Sequence, residues 1–277
     1  MLRLLQIEFI KLKNSRASKV LISIYFLLLT SISLIAVIKF DIGPVKFHLA
    51  EQGIFNFPLI WHFNTFMAAI FKFFLLLVIV SMVTNEYSNR TLKQNLIDGL
   101  SKKEFILSKF YLVITLAVIS TIFVFIVSLV LGWIYSDYNE FRIVFSNLEY
   151  LGAFFVKLVG FFSMGLFFGM LIKRSAFAVG AIFVWLCTEG VVYMILQWKL
   201  QNHQMVSKIT QFFPSVSMWN LIDQPFGRLK AVKTVANQVG EKITYDYAVH
   251  WYEIVIVLAW TFLFIYMSYR LLLKRDL

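Results

Sequence analysis

The sequence predicts an all-α integral membrane protein with six transmembrane helices in one domain spanning residues 1–277. Three observations predict it. First, 60% of the 277 residues are hydrophobic and 30 are Phe, whereas an average soluble domain is roughly 45–50% apolar. Second, the apolar residues fall into long runs separated by short charged stretches, and the runs reach the ~20 residues needed to cross ~30 Å of hydrocarbon. Third, little sequence remains for a soluble core once those runs are removed.

Residues 1–16 form a short amphipathic segment. Leu2, Leu5, Phe9 and Leu12 follow helical spacing while Arg3, Gln6, Lys13 and Asn14 lie off that stripe, as in a helix lying at a membrane surface. The first span is expected at about 20–39. Ser31 and Ser33 resemble a signal cleavage site, but the apolar run continues to Ile38, so an uncleaved helix is expected. Residues 40–62, with Gly43, Pro44 and Pro58, read as a loop. Further spans are expected at about 63–84, 110–135, 151–172, 176–198 and 251–273. Lys173-Arg174 forms a tight turn between the fourth and fifth, and a long mixed segment, 199–250, precedes the sixth.

The net charge of +11 could indicate nucleic acid, but most basic residues flank apolar runs, where they set orientation or meet anionic lipid. With the N-terminus inside, inner segments hold 15 Lys and Arg, while the two short outer loops hold Lys46 and Arg142, with Lys39 at a border. An even number of spans then places both termini in the cytoplasm. The lone Cys187 lies in an apolar run, as a small hydrophobe would. Gly165-x-x-x-Gly169 and Ala176-x-x-x-Gly180 allow close helix approach, within one bundle or across a dimer face.

Residues 85–109 carry the most information. Gly99 is a natural helix terminator. Ser101 and Glu104 form a Ser-x-x-Glu capping box. A short helix is therefore expected from about Arg90 to Asp98, offering Leu92, Leu96 and Ile97 for contact, followed by a turn and a new helix running into the third span.

This segment resembles the cytoplasmic signature of the type-2 ABC permeases. The resemblance rests on Glu86, on Thr91-Leu-Lys-Gln-Asn-Leu, on Gly99-Leu-Ser-Lys-Lys-Glu-Phe and on Lys109. The layout is similar too: a basic N-terminal elbow helix, six spans, and a longer outer segment between spans five and six. In that segment Phe212-Phe213-Pro214-Ser215-Val216-Ser217-Met218-Trp219 is where a helix break is expected. The resemblance implies short outer helices there and a cytoplasmic coupling helix that docks on a separate ATPase. It assigns that coupling role to Glu86, Thr91, Leu92, Leu96, Ile97, Gly99, Ser101 and Glu104. It further implies two permease subunits, identical or related, and two ATPase subunits carrying ATP and Mg, in a bacterial cytoplasmic membrane. The sequence has no Gly-x-x-x-x-Gly-Lys-Ser/Thr phosphate loop, so no bound cofactor, metal or catalytic residue is expected on this chain, and hydrolysis would fall to the partner. The expected function is ATP-driven export.

Lys72, Lys157 and Glu189 fall within spans, where ionisable groups are costly and face the interior or a partner. Lys72 and Glu189 lie at matching depth, which predicts an ion pair between them, as a lock between helices or a lining of a substrate path. Lys157 is near enough to its span's end to snorkel. Trp61, Trp133, Trp198, Trp219 and Trp251 are expected as interface anchors. His48, His62, His203 and His250 form no metal or protease pattern. An ion-driven secondary transporter would require interior carboxylates and repeated halves. Only Glu189 qualifies as such a carboxylate. A non-transporting assembly protein is the other alternative.

Overall fold

The computed structural model describes residues 2–35, 39–42, 45–48, 53–138, 140–229, 232, 234 and 246–274. Among the described residues it is a helical bundle with one small hairpin. Helix α1 (Leu2–Asn14) leads through Ser15 into α2 (Arg16–Ile35). Strands β1 (Lys39–Ile42) and β2 (Val45–His48) pair antiparallel with Phe40 opposite Phe47. Then come α3 (Leu59–Ser88), α4 (Thr91–Ile97) and α5 (Lys102–Tyr135). A single turn, α6 (Phe141–Val144), precedes α7 (Glu149–Ile172) and α8 (Ser175–Leu200). Two short helices, α9 (His203–Thr210) and α10 (Pro214–Asn220), and a 3-10 turn (Pro225–Arg228) lead towards the last helix, α11 (Trp251–Leu273).

Among the described residues, five segments are long and apolar enough to cross a membrane: Leu59–Ser88, Lys102–Tyr135, Phe141–Ile172, Ser175–Leu200 and Trp251–Leu273. Helix α2 covers the first part of the remaining expected span, up to Ile35; residues 36–38 lie outside the described residues.

At the bundle's centre stands α7, which packs on α3, α5, α8 and α11. The small residues of α7 explain its closest contact. Gly165 meets Leu76 of α3 so tightly that a Cβ there would lie 2.3 Å from Leu76 Cδ1, and Gly169 sits against Val83. The Gly-x-x-x-Gly pair thus packs within one chain, where dispersion contacts between close helices supply the attraction that the hydrophobic effect cannot supply in lipid. Nothing lies within 4 Å of a Cβ built on Gly180. Polar cross-links add to the packing. Tyr25 of α2 hydrogen-bonds Ser120 of α5, and Asn64 Nδ2 donates to Ser128 Oγ at 2.9 Å. Buried side-chain groups of this kind require partners, because hydrocarbon offers none.

Several expectations change. Part of the loop expected at 40–62 is strand, and its end is buried: Ile54, Phe55 and Phe57 are core residues. Helix α3 begins at Leu59 rather than 63. The apolar side chains around Pro58 cover the ends of α5 and α6: Phe57 N donates to Ser136 Oγ, and Trp61 Nε1 to the Val144 carbonyl at 2.9 Å. Trp61 is therefore core, stacked on Phe125, not an interface anchor. Trp133, Trp198, Trp219 and Trp251 are exposed. Cys187 is also exposed, on the outward face of α8. Pro214 does more than break a helix. It occupies the first turn of α10, where its missing N–H costs nothing.

Candidate functional site

The segment 85–109 folds as its local chemistry dictates. Helix α4 ends one residue short of Asp98, and Gly99 adopts φ +97°. Gly99 N donates to the Leu96 carbonyl at 3.2 Å and Leu100 N to the Asn95 carbonyl at 3.0 Å, the two bonds of a Schellman termination. The capping box is present: Ser101 Oγ accepts from Glu104 N at 3.1 Å, and Glu104 Oε2 accepts from Ser101 N at 2.9 Å. The turn from α3 into α4 was not legible. It is made by Arg90, a non-glycine residue at φ 57°.

What holds this turn is a buried charge network centred on Glu86. Glu86 Oε1 receives Lys109 Nζ at 2.5 Å and Lys11 Nζ at 2.6 Å. Its Oε2 accepts from Asn95 Nδ2 at 3.1 Å and Thr91 Oγ1 at 3.3 Å. Lys109 Nζ also meets Glu8 Oε2 at 2.7 Å, and Glu8 Oε1 lies 3.4 Å from the Ser108 hydroxyl that donates to it and 3.6 Å from Lys11 Nζ. The side chains of Glu8, Glu86 and Lys109 are at most 3% exposed. Two carboxylates and two ammonium groups give no net charge, and the carboxylates carry further hydrogen bonds. That satisfaction is what makes a buried ion cluster tolerable. Four elements meet here: α1, the end of α3, α4 and the start of α5. Sequence reasoning missed Glu8 and Lys11. The available signal was that Glu8 is the only acid in the first 40 residues and lies one helical turn from Leu5 and Leu12, on the inward stripe of α1.

The candidate coupling residues play different structural parts. Glu86 and Thr91 belong to the network. Leu92 is 2% exposed, so the expectation that it is free for contact is corrected: as the second residue of α4 it points into the bundle beneath the turn. Leu96 is partly buried against the core. Ile97 is 75% exposed, on a face it shares with the exposed Lys93, Gln94 and Asp98. Gly99, Ser101 and Glu104 shape the turn. A polar cleft of about 480 Å³ lies between α1 and this turn, lined by Arg3, Glu8, Lys11, Asp98 and Glu104 among others.

At the opposite end of the bundle, the charges expected within spans find other partners than those foreseen. Lys72 and Glu189 line one groove, yet they do not form the expected ion pair. Glu189 is taken up by three donors: Trp185 Nε1 at 2.5 Å, Ser215 N at 3.0 Å and Val216 N at 3.3 Å. The last two are the orphan amides in the first turn of α10, where a carboxylate is favoured. Lys157 is 1% exposed rather than snorkelling, and its Nζ donates to the Trp219 carbonyl in the last turn of α10 at 3.3 Å. So Glu189 and Lys157 hold the two ends of α10, each matching the sign of its helix end. Depth in the bilayer predicted a pair; the backbone of α10, whose fold depth alone does not reveal, took its place. Trp260 Nε1 ties the chain two residues before α10 to α11 by donating to the Phe212 carbonyl at 2.8 Å. Among the described residues, no group of three or more His, Cys, Asp or Glu is placed to hold a metal ion.

A comparison with curated proteins finds no match. A comparison with protein families finds one whose model, described as an ABC-2 family transporter protein, matches residues 6–277. That match takes in every helix described above apart from the first turn of α1. The apolar helices make this a multi-pass membrane protein. The chain belongs to the ABC-2 transporter family and is a membrane-spanning permease component of an ABC transporter.

Proposed function

We propose that this chain is the permease subunit of an ATP-driven exporter in a bacterial cytoplasmic membrane, with six spans and both termini inside. The observation that carries this reading is the network around Glu86. It joins α1, α4 and the start of α5 into one unit, and a unit of that kind can deliver a push from outside to the long helices. In this reading α4 is the coupling helix and α1 the elbow. A separate ATPase subunit, present in two copies, binds ATP and Mg and docks on the exposed face of α4 around Ile97. A second permease subunit, identical or related, completes the complex.

Closure of the ATPase pair on ATP would press on α4. Because Glu86 lies in the last turn of α3, and Lys109 in the second turn of α5, displacement of α4 moves both helices and α1 together. The two conformations must then differ in free energy by an amount that nucleotide changes, since a ligand shifts an equilibrium only through unequal affinity for its states. An ion-driven transporter would leave the exposed face of α4 without a purpose. The test is co-purification of the tagged chain in mild detergent with identification of its partners and assay of ATP hydrolysis. A stoichiometric ATPase supports the proposal, and recovery of an intact, folded chain with no ATPase under conditions that preserve a co-expressed complex would contradict it.

A further inference from the structure

Of the three charges expected within spans, the buried Lys157 and Glu189 are accounted for by α10. The third, Lys72, is not. Its Nζ stands 4.3 Å from the centre of the Phe161 ring, and among the described residues no carboxylate lies within ion-pair distance of it. Lys72 lines a groove of about 420 Å³ between α3, α7, α8 and α10. The other walls are Phe73, Phe161, Leu186, Met218 and Trp219, with Glu189 turned to the α10 amides. This volume and mainly apolar lining, with Lys72 as its one cation and Glu189 and Ser215 as the other polar side chains, match those of a small-molecule site, for which ~300–1,000 Å³ is typical. Lys72 is 13 residues from the start of α3, or roughly 20 Å along the helix at ~1.5 Å per residue. An ammonium group at that depth, away from aqueous ends, carries a desolvation cost that an anion would offset.

We infer that this groove binds an anionic amphiphile, its negative headgroup on Lys72 Nζ and its hydrocarbon chain along Phe73, Phe161 and Trp219. This inference rests on the transporter reading for its meaning, since it names the class of cargo, but not for its test. Lys72 supplies the charge and the aromatic walls supply the apolar surface. The α10 helix, fixed at one end by Glu189 and at the other by Lys157, closes one side of the groove. A second copy of this chain is a poor source of the missing anion. Other than Glu189, the acids of the five helices long and apolar enough to cross a membrane, Glu86, Glu104, Glu149 and Glu253, lie within three residues of helix ends.

The full chain, in nanodiscs of zwitterionic lipid, is titrated with a brominated fatty acid and with the alcohol of matched chain length, reading tryptophan quenching. The site predicts a saturable component of quenching by the acid that is lost in the Trp219→Phe variant, and binding at least tenfold weaker for the alcohol. Lys72→Met is expected to weaken the acid roughly tenfold or more, one decade being ~1.4 kcal/mol. Lys72→Arg, which keeps the charge, is expected to retain most of the affinity. Equal binding of acid and alcohol, or binding indifferent to Lys72→Met, overturns the headgroup assignment. Absence of a saturable component, or one that persists in Trp219→Phe, overturns the site. None of these outcomes depends on an ATPase, so failure here leaves the co-purification result standing, and the reverse also holds.

Discussion

Lys109→Met is the most informative single perturbation of the charge network. It removes one ammonium group, which is 1% exposed, from between two carboxylates at 2.7 and 2.5 Å, and keeps a side chain of similar length. The two acids do not suffer equally. Glu86 retains Lys11 at 2.6 Å, Asn95 and Thr91. Glu8 retains only Ser108 at 3.4 Å and Lys11 at 3.6 Å. Breaking a buried pair by removing one partner costs about 3–5 kcal/mol, because the other charge is left uncompensated. Most of that cost is expected to fall on Glu8, and therefore on the docking of α1. The assay is a denaturant titration in detergent, paired with a spin-label distance between Arg3→Cys on α1 and Lys103→Cys on α5. The single variant is expected to lose about 3–5 kcal/mol and to broaden the α1–α5 distance. Adding Glu8→Gln, which removes the stranded charge, is expected to recover at least ~1 kcal/mol of it, a coupling of the size that contacting residues show. A loss below ~1 kcal/mol with an unchanged distance would refute the claim that this network fastens α1 to the bundle.

Other outcomes follow from the same geometry. Ile97→Asp is expected to leave stability within ~0.5 kcal/mol, as an exposed substitution does, while abolishing co-purification of an ATPase. Leu92→Asp buries an unpaired charge and is expected to lower stability by several kcal/mol, near the ~3–5 of other uncompensated buried charges, as a denaturant titration would show. Glu189→Gln weakens the hold on α10 and is expected to speed hydrogen exchange at Ser215 and Val216, at a cost of about 1–3 kcal/mol for the weakened charge-assisted bonds. Gly165→Val drives a side chain into Leu76 and is expected to cost about 1–3 kcal/mol of overpacking strain, readable as a lower midpoint in the same titration.

Much of the architecture was legible because bilayer thickness and helical period constrain it. The long helices, the turn at Lys173, the Gly99 stop and the Ser101–Glu104 start all follow from local rules, and they fall within a few residues of their expected places. The partnerships of the buried charges were less legible. Lys72 and Glu189 share a depth and even a groove, but the amides of α10 compete for Glu189, and the path of a chain through 199–250 is not written in a periodic pattern. The same holds for Leu92. Spacing identified it as apolar on a short helix, but which face turns inward depends on Glu86 pulling Asn95 and Thr91 onto the end of α3. Trp61 was misplaced for a related reason: the buried turn before α3 gives its indole a carbonyl partner, which removes any need for an interface. Within residues 85–109, the sequence resemblance marked Glu86 and Lys109, but it gave no reason for them. The reason is the pair of α1 residues, Glu8 and Lys11, that completes their charge balance.

The proposed function depends above all on an ATPase docking at the exposed face of α4. Site-specific crosslinking tests it most directly. A photoreactive residue is introduced at Ile97, and for comparison at Trp198 near the far end of α8, in the full chain expressed with its native neighbours. A crosslink to an ATPase subunit is expected from position 97 and none from 198, changing in yield when ATP is added. An ATPase crosslink from 198 alone, or none from 97 in a complex that still hydrolyses ATP, would contradict it.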